Sequence, residues 1–183
     1  MDASTLTPAQ AAEALAYQRS LLDLLGADDP AEAQAGTPET MRALVADAGP
    51  ALRARPAPGE WSVLECVGHI WDAEIMSSGR YRWILAHDRP DLPGYDQDKL
   101  AAALRHNDLE PDDLLTPFAA LRAANVRLWH RTSPEQRARV GLHRERGPES
   151  YELTFRLIAG HDRFHINQAR ETLAAVRAGG TSR

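Results

Sequence analysis

The sequence predicts an all-α fold: a four-helix bundle with long crossover connections and short accessory helices. Three observations carry that expectation. Helix-favouring residues dominate, and no segment alternates apolar and polar side chains as a half-buried strand would. Four segments are long enough to be bundle helices, and each opens or closes on a cap, proline or glycine signal. The stretches between them are long and rich in proline and glycine. The 183 residues suffice for a core of their own. The expectation is a single domain over 1–183, with loose ends at about 1–6 and 179–183.

Pro8 opens the first helix, with Thr7 as its N-cap and Gly26 as its stop. It is expected from about Pro8 to Leu25, with Leu15, Leu22 and Leu25 on its apolar face. Residues 27–36 read as a loop. Thr37 and Pro38 look like a cap and a first helical residue, opening a short helix to about Ala48. Residues 50–59 hold three prolines and form a connector. Ser62 caps the next helix, and Glu65 completes a capping box. That helix should run to about His87, roughly 37 Å long at 1.5 Å per residue. One face carries Val63, Val67, Ile70 and Trp71; His69 lies on another with Ser62, Glu65, Ala73 and Met76.

Residues 89–95 hold two prolines and a glycine and read as a loop. Asp96 caps a short helix to about Arg105. Pro111 opens the third long helix, which reaches about Arg131 with Leu114, Leu115, Phe118, Leu121, Val126 and Trp129 inward. Pro117, near its start, offers a second possible N-terminus. Residues 133–150 read as a long irregular connection. The last helix is expected from about Tyr151 to Ala178, ended by Gly179-Gly180.

Composition excludes several classes of function. The formal net charge is −5 and Lys99 is the only lysine, so the clustered basic footprint of a nucleic-acid binder is not expected. Cys66 is the only cysteine, so no intrachain disulfide can form. The first residues lack a basic region followed by an apolar run, so no signal peptide is expected. No apolar run approaches the ~20 residues of a membrane span. No membrane partner is expected, and the default location is the cytoplasm.

The chemistry points to two histidines. His161 and His165 lie four residues apart, so their imidazoles share one face of the last helix. His69 lies on another long helix; taken alone, it reads as a buried histidine satisfied by a neighbouring carbonyl. Three neutral imidazoles from two helices would hold a divalent ion and leave a coordination position open, as sites that do chemistry require. Zinc proteases place Glu directly after the first histidine as general base. Here that position is Asp162, about 100° around the helix from His161. Di-iron bundles need several inward Glu residues and paired Glu-x-x-His motifs, which this chain lacks.

Three stretches carry a family pattern. They are residues 58–65 (Pro-Gly-Glu-Trp-Ser-Val-Leu-Glu) with 68–74 (Gly-His-Ile-Trp-Asp-Ala-Glu), 92–98 (Leu-Pro-Gly-Tyr-Asp-Gln-Asp), and 160–168 (Gly-His-Asp-Arg-Phe-His-Ile-Asn-Gln). In this order they resemble DinB-like (DinB/YfiT) proteins from about Tyr17 to Val176. The resemblance implies a bundle with one divalent metal ion (Zn, Ni or Fe) held by His69, His161 and His165. It also implies a homodimer and a small-molecule substrate. Relatives include transferases and isomerases that use low-molecular-weight thiols such as mycothiol or bacillithiol.

Gln168 and Thr172 continue the line of His161 and His165, and Thr154 lies at its other end. With Glu65 and Met76 they are the candidate pocket wall. Glu65 and Asp72 flank His69 and could orient an imidazole, but a capping box accounts for Glu65 and a solvated charge for Asp72. Cys66 is a conceivable fourth, soft ligand; a small buried hydrophobe is the favoured account. Trp61 is expected to anchor the helix entrance. Asp96 and Asp98 sit at the mouth loop by analogy. His87, His106, His130 and His143 lie near connections and are expected to be exposed. Arg144 and Arg146 are expected in a solvated loop, with an anionic substrate as the other reading. Functionally, a metal-dependent transferase or hydrolase leads, with a low-molecular-weight thiol as one option for its co-substrate. A non-catalytic metal-binding or stress-response module and a helical interaction protein follow.

Overall fold

The computed structural model describes residues 7–180; residues 1–6 and 181–183, where most of the expected loose ends fall, lie outside the described residues. The helices are α1 (Pro8–Leu25), α2 (Pro30–Ala48), α3 (Val63–Ala86), α4 (Gln97–Leu104), α5 (Pro111–His130), α6 (Pro134–Arg137) and α7 (Tyr151–Gly180). Three short strands are β1 (Asp91–Leu92), β2 (Val140–His143) and β3 (Gly147–Ser150). The chain is therefore largely helical, as expected. No described helix is long and apolar enough to cross a membrane.

Four helices close a ring of contacts: α3 packs on α7 and α5, and α2 packs on α5 and α7. α1 lies outside that ring, along α7. The bundle thus includes α2, which is longer than the short helix expected from Thr37. The helix starts earlier than expected because Asp29, not Thr37, is its cap. Its carboxylate accepts from the amides of Ala31 (2.7 Å) and Glu32 (3.0 Å), and Pro30 takes the first turn. Pro38 then sits inside the helix, where it removes one backbone donor. The Thr37 hydroxyl, freed from capping, reaches across to Asp162 at 2.8 Å. Pro117 is likewise internal, and α5 begins at Pro111. On α3 the expected capping box of Ser62 and Glu65 is present. Asp96 caps α4.

Two apolar clusters fill the bundle. One gathers Met41, Leu64, Val67, Phe118 and Ile166; the other gathers Tyr81, Trp129, Tyr151, Phe155 and Ile158. Between them lies a buried charged layer to which all four bundle helices contribute. Arg122 of α5, 1% exposed, pairs with Glu74 of α3 at 2.9 Å and with Asp162 of α7. Asn125 donates to Glu74 at 2.7 Å, and Arg122 donates to the Gln34 carbonyl of α2 at 3.2 Å. Burial works against the guanidinium charge, but Asp162 and Glu74 outweigh it and raise the Arg122 pKa. This layer explains why Arg122 and Asn125 turn inward on α5 while Leu121 and Val126 are only half-buried.

α1 buries Leu21 and Leu25 rather than Leu15, because its contact face is set by a close approach to α7. A Cβ on Gly160 would sit 2.0 Å from the Leu21 carbonyl oxygen. Only glycine lets the two backbones come so near.

The strands fall where loops were expected. β1 pairs parallel with β2 (Asp91 with Leu142, Leu92 with His143), and β2 pairs antiparallel with β3 (Val140 with Ser150, His143 with Gly147). The buried positions of β2 are Gly141 and His143, so its alternation is real but not hydrophobic. α7 runs on through Gly179 and Gly180, past its expected stop.

Replacing Arg122 by Met leaves two carboxylates buried without their cation. The expected loss is about 3–5 kcal/mol of unfolding free energy, measured by urea denaturation.

Candidate metal centre

α3 and α7 run antiparallel, because His69 meets His161 and His165 while Tyr81 meets Tyr151 and Phe155. The capping box sets where α3 starts, and Asp162 in the charged layer sets how α7 is turned. His161 and His165 then face His69. Their ring centroids lie 4.3 to 4.9 Å apart. One ring nitrogen of each falls within 4.8 Å of the others, and Nε2 of His69 and of His161 are 3.0 Å apart. Tetrahedral zinc with Zn–N bonds of 2.0–2.1 Å separates its nitrogens by about 3.4 Å. The cluster is of that size.

The donor set fits a cation. Nε2 of His165 is buried and has no hydrogen-bond partner. Nδ1 of the same ring meets Gln168 Oε1 at 2.7 Å, which places the proton on Nδ1 and leaves the Nε2 lone pair free. Nδ1 of His161 is also buried without a partner. All three rings are held neutral. Burial pushes His69 down to about 3, with His165 and His106 adding to the effect. Burial also takes His165 to about 4 and His161 well below its ordinary value. Neutral imidazole is the form that ligates metal. The indole of Trp61 backs the group, 5.0 Å from His69 and 6.1 Å from His165.

A cavity of about 530 Å³ opens beside the histidines. His161, His165 and Phe164 of α7 line it, with Tyr17 and Leu21 of α1 and Arg80 of α3. The 94–97 loop and the β2–β3 turn complete the wall. None of the expected wall residues Glu65, Met76, Thr154, Gln168 and Thr172 lines this cavity. The wall is built from α1, the loop and the hairpin rather than from the continuation of the histidine line. Glu65 is occupied by the capping box and by Arg55. Met76 lies at the surface, 36% exposed. Thr154 donates to the Ser150 carbonyl at 2.9 Å, and Thr172 to the Trp61 carbonyl at 3.4 Å. Gln168 acts on His165 instead of on the cavity.

Other expectations also need correction. His106 and His143 are each 3% exposed, whereas His87 and His130 are exposed as expected. His106 is buried because its ring packs on Gly68, where a Cβ would lie 2.3 Å away, and its Nε2 meets Asp72 Oδ2 at 2.8 Å. Asp72 is therefore a buried partner rather than a solvated charge. His143 is buried because it occupies an inward position of β2. Cys66 is fully buried in the apolar core, burial pushes its thiol up to about 12, and it stands apart from the histidine group. Arg144 is exposed, but Arg146 lines the cavity and pairs with the buried Glu149. Tyr95, in the 92–98 stretch, and Arg80, outside every family stretch, also line the cavity. Arg80 follows His69 by eleven residues, about 20° around the helix, and that spacing is a readable signal.

Two outcomes follow for metal binding. Free imidazole begins to lose metal to protons below about pH 6.5. His69 and His165 protonate only near 3 and 4, and burial holds His161 well below the ordinary imidazole value too. Apparent affinity should therefore stay level from about pH 8 to about pH 5 and fall as pH drops towards 4, measured by competition with a chromophoric chelator. Gln168→Ala should weaken binding about 10- to 100-fold in the same assay, through loss of the hydrogen bond that orients His165.

The DinB superfamily profile matches residues 32–169. A relative from Oceanobacillus iheyensis, named provisionally as a metal-dependent hydrolase, is 26% identical over 122 residues. That match spans 63% of this chain and 66% of the relative. YfiT from Bacillus subtilis, described as a probable metal-dependent hydrolase with an unusual four-helix bundle topology, superposes with a TM-score of 0.73 at 18% identity. The superposition covers 97% of this chain and 91% of YfiT. With a histidine cluster able to coordinate a metal ion and a profile match over most of its length, the chain belongs to the DinB superfamily.

Proposed function

We propose that this chain is a metal-dependent hydrolase of a small molecule, with His69, His161 and His165 as the ligands. One observation carries the reading: three neutral imidazoles converge where His161 and His165 border a cavity large enough for a substrate. The names given to the Oceanobacillus relative and to YfiT support it. A divalent cation held there would supply Lewis acidity, enough to make water, or a thiol, nucleophilic near neutral pH. The chain's own residues do the rest. Gln168 fixes the tautomer of His165, Trp61 screens the imidazoles, and Leu21, Leu157 and Ile158 give the cavity apolar walls. The histidine group contains no carboxylate, so Zn or Ni suits it better than the two-histidine, one-carboxylate iron arrangement.

The test uses protein made without a histidine tag. Plasma mass spectrometry should find about one divalent ion per chain in the wild type and none in His165→Ala, with the variant still helical by circular dichroism. Turnover of a panel of esters and amides should follow metal content. Acceleration only when a low-molecular-weight thiol is added would assign group transfer instead. Bound metal without any turnover would leave a binding module. Wild type that refuses both Zn and Ni would overturn the metal reading.

A further inference from the structure

We infer that the cavity is built for an organic acid: Arg80 and His143 form a subsite for a carboxylate or phosphate group, while the reacting end of the same molecule lies at the three histidines. The subsite stands on its own geometry; its link to the reaction rests on the metal-dependent reading above.

Arg80 is the first observation. It lines the cavity, is only 6% exposed, and has no carboxylate partner among the described residues. Its guanidinium donates to the Pro93 carbonyl at 2.6 Å and lies over the Tyr95 ring, 5.7 Å from the centroid. A buried arginine is almost always paired. The second buried arginine among the described residues, Arg122, has two carboxylates. Arg80 has donors left over and faces a cavity. Its planar fork matches carboxylate and phosphate oxygens.

His143 is the second, independent observation. Its Nδ1 accepts the Glu145 amide at 3.2 Å, so the ring proton sits on Nε2. That Nε2 is buried and has no acceptor, and the ring lines the same cavity. An unsatisfied buried donor on the same cavity wall as an unpaired guanidinium calls for an acceptor with negative charge.

The acidic groups nearby do not fill this role. Glu149 is buried but already holds Arg146 and Gln18. Glu13 and Glu145 are exposed at the rim, where water screens them. α3 sets the spacing between the subsite and the histidine group. Arg80 lies on nearly the same face as His69 and roughly 17 Å further along the axis at 1.5 Å per residue. Leu157 and Ile158 line the wall between them and suit an apolar body.

Isothermal titration calorimetry with benzoate, phenyl phosphate and uncharged benzyl alcohol tests the subsite on metal-loaded and metal-stripped protein. One or both anions should bind both forms, at least about tenfold tighter than benzyl alcohol, and their ranking distinguishes carboxylate from phosphate. Arg80→Gln should weaken the anion about tenfold or more with metal content unchanged, and Arg80→Lys should recover part of the loss. On wild type, nitrogen NMR of the imidazoles should show His143 as the Nε2–H tautomer and its Nε2 signal moving on addition of the anion. Unchanged affinity in Arg80→Gln, anion binding that vanishes with the metal, or no anion binding by wild type would each overturn the subsite. Failure of metal uptake with anion binding intact would overturn the hydrolase reading alone.

Discussion

The buried guanidinium of Arg122, held between Glu74 and Asp162, is the contact from which the rest of the arrangement follows. It draws one side chain from each of α3, α5 and α7 to a single point in the bundle, and α2 joins through the Gln34 carbonyl and the Thr37 hydroxyl. Apolar contacts alone tolerate small rotations and slides of one helix on another. A buried ion pair does not, because a misplaced partner leaves a charge without water or counter-charge. The layer therefore acts as a register pin between the two apolar clusters.

The pin matters to the site through sequence adjacency. Asp162 follows His161 directly, and the next turn of the same helix carries His165. Locking Asp162 onto Arg122 turns His161 and His165 towards α3, where His69 waits. The metal-binding face and the charged face of α7 are thus two sides of one constraint. Desolvation then keeps the imidazoles neutral, so a cation meets lone pairs rather than protons.

A second constraint shapes what the site can accept. Gly160 lets α1 lie close on α7, and the β1–β2 pairing brings the loop after β1 beside the β2–β3 turn. These peripheral pieces wall the cavity, and they supply Tyr17, Tyr95 and His143. The bundle holds the histidines, and the additions around it wall the cavity beside them.

Sequence by itself determined the helical class, most helix starts and the pairing of His161 with His165, because these depend on local rules; His69 joined them only through the family pattern around it. Ser62 with Glu65, Asp96 and Pro111 mark helix starts through backbone groups only a few residues away. His161 and His165 share a face because four residues is one turn. What tertiary structure decided depends on partners distant in the chain. Thr37-Pro38 reads locally as a helix start, yet Asp29 caps α2 and Thr37 serves Asp162. The strands were hidden because their buried positions are glycine and histidine, and β2 gains its meaning only from pairing with β1 and β3. Glu65, Met76, Thr154, Gln168 and Thr172 follow helical spacing from the histidines, but α1 and the hairpin, placed by contacts spanning much of the chain, wall the cavity instead. Burial of Arg80, Arg122 and His143 belongs to that same class of fact. A charged or polar residue enters a core only where a partner or a ligand awaits it, and partners far away in sequence leave no local trace.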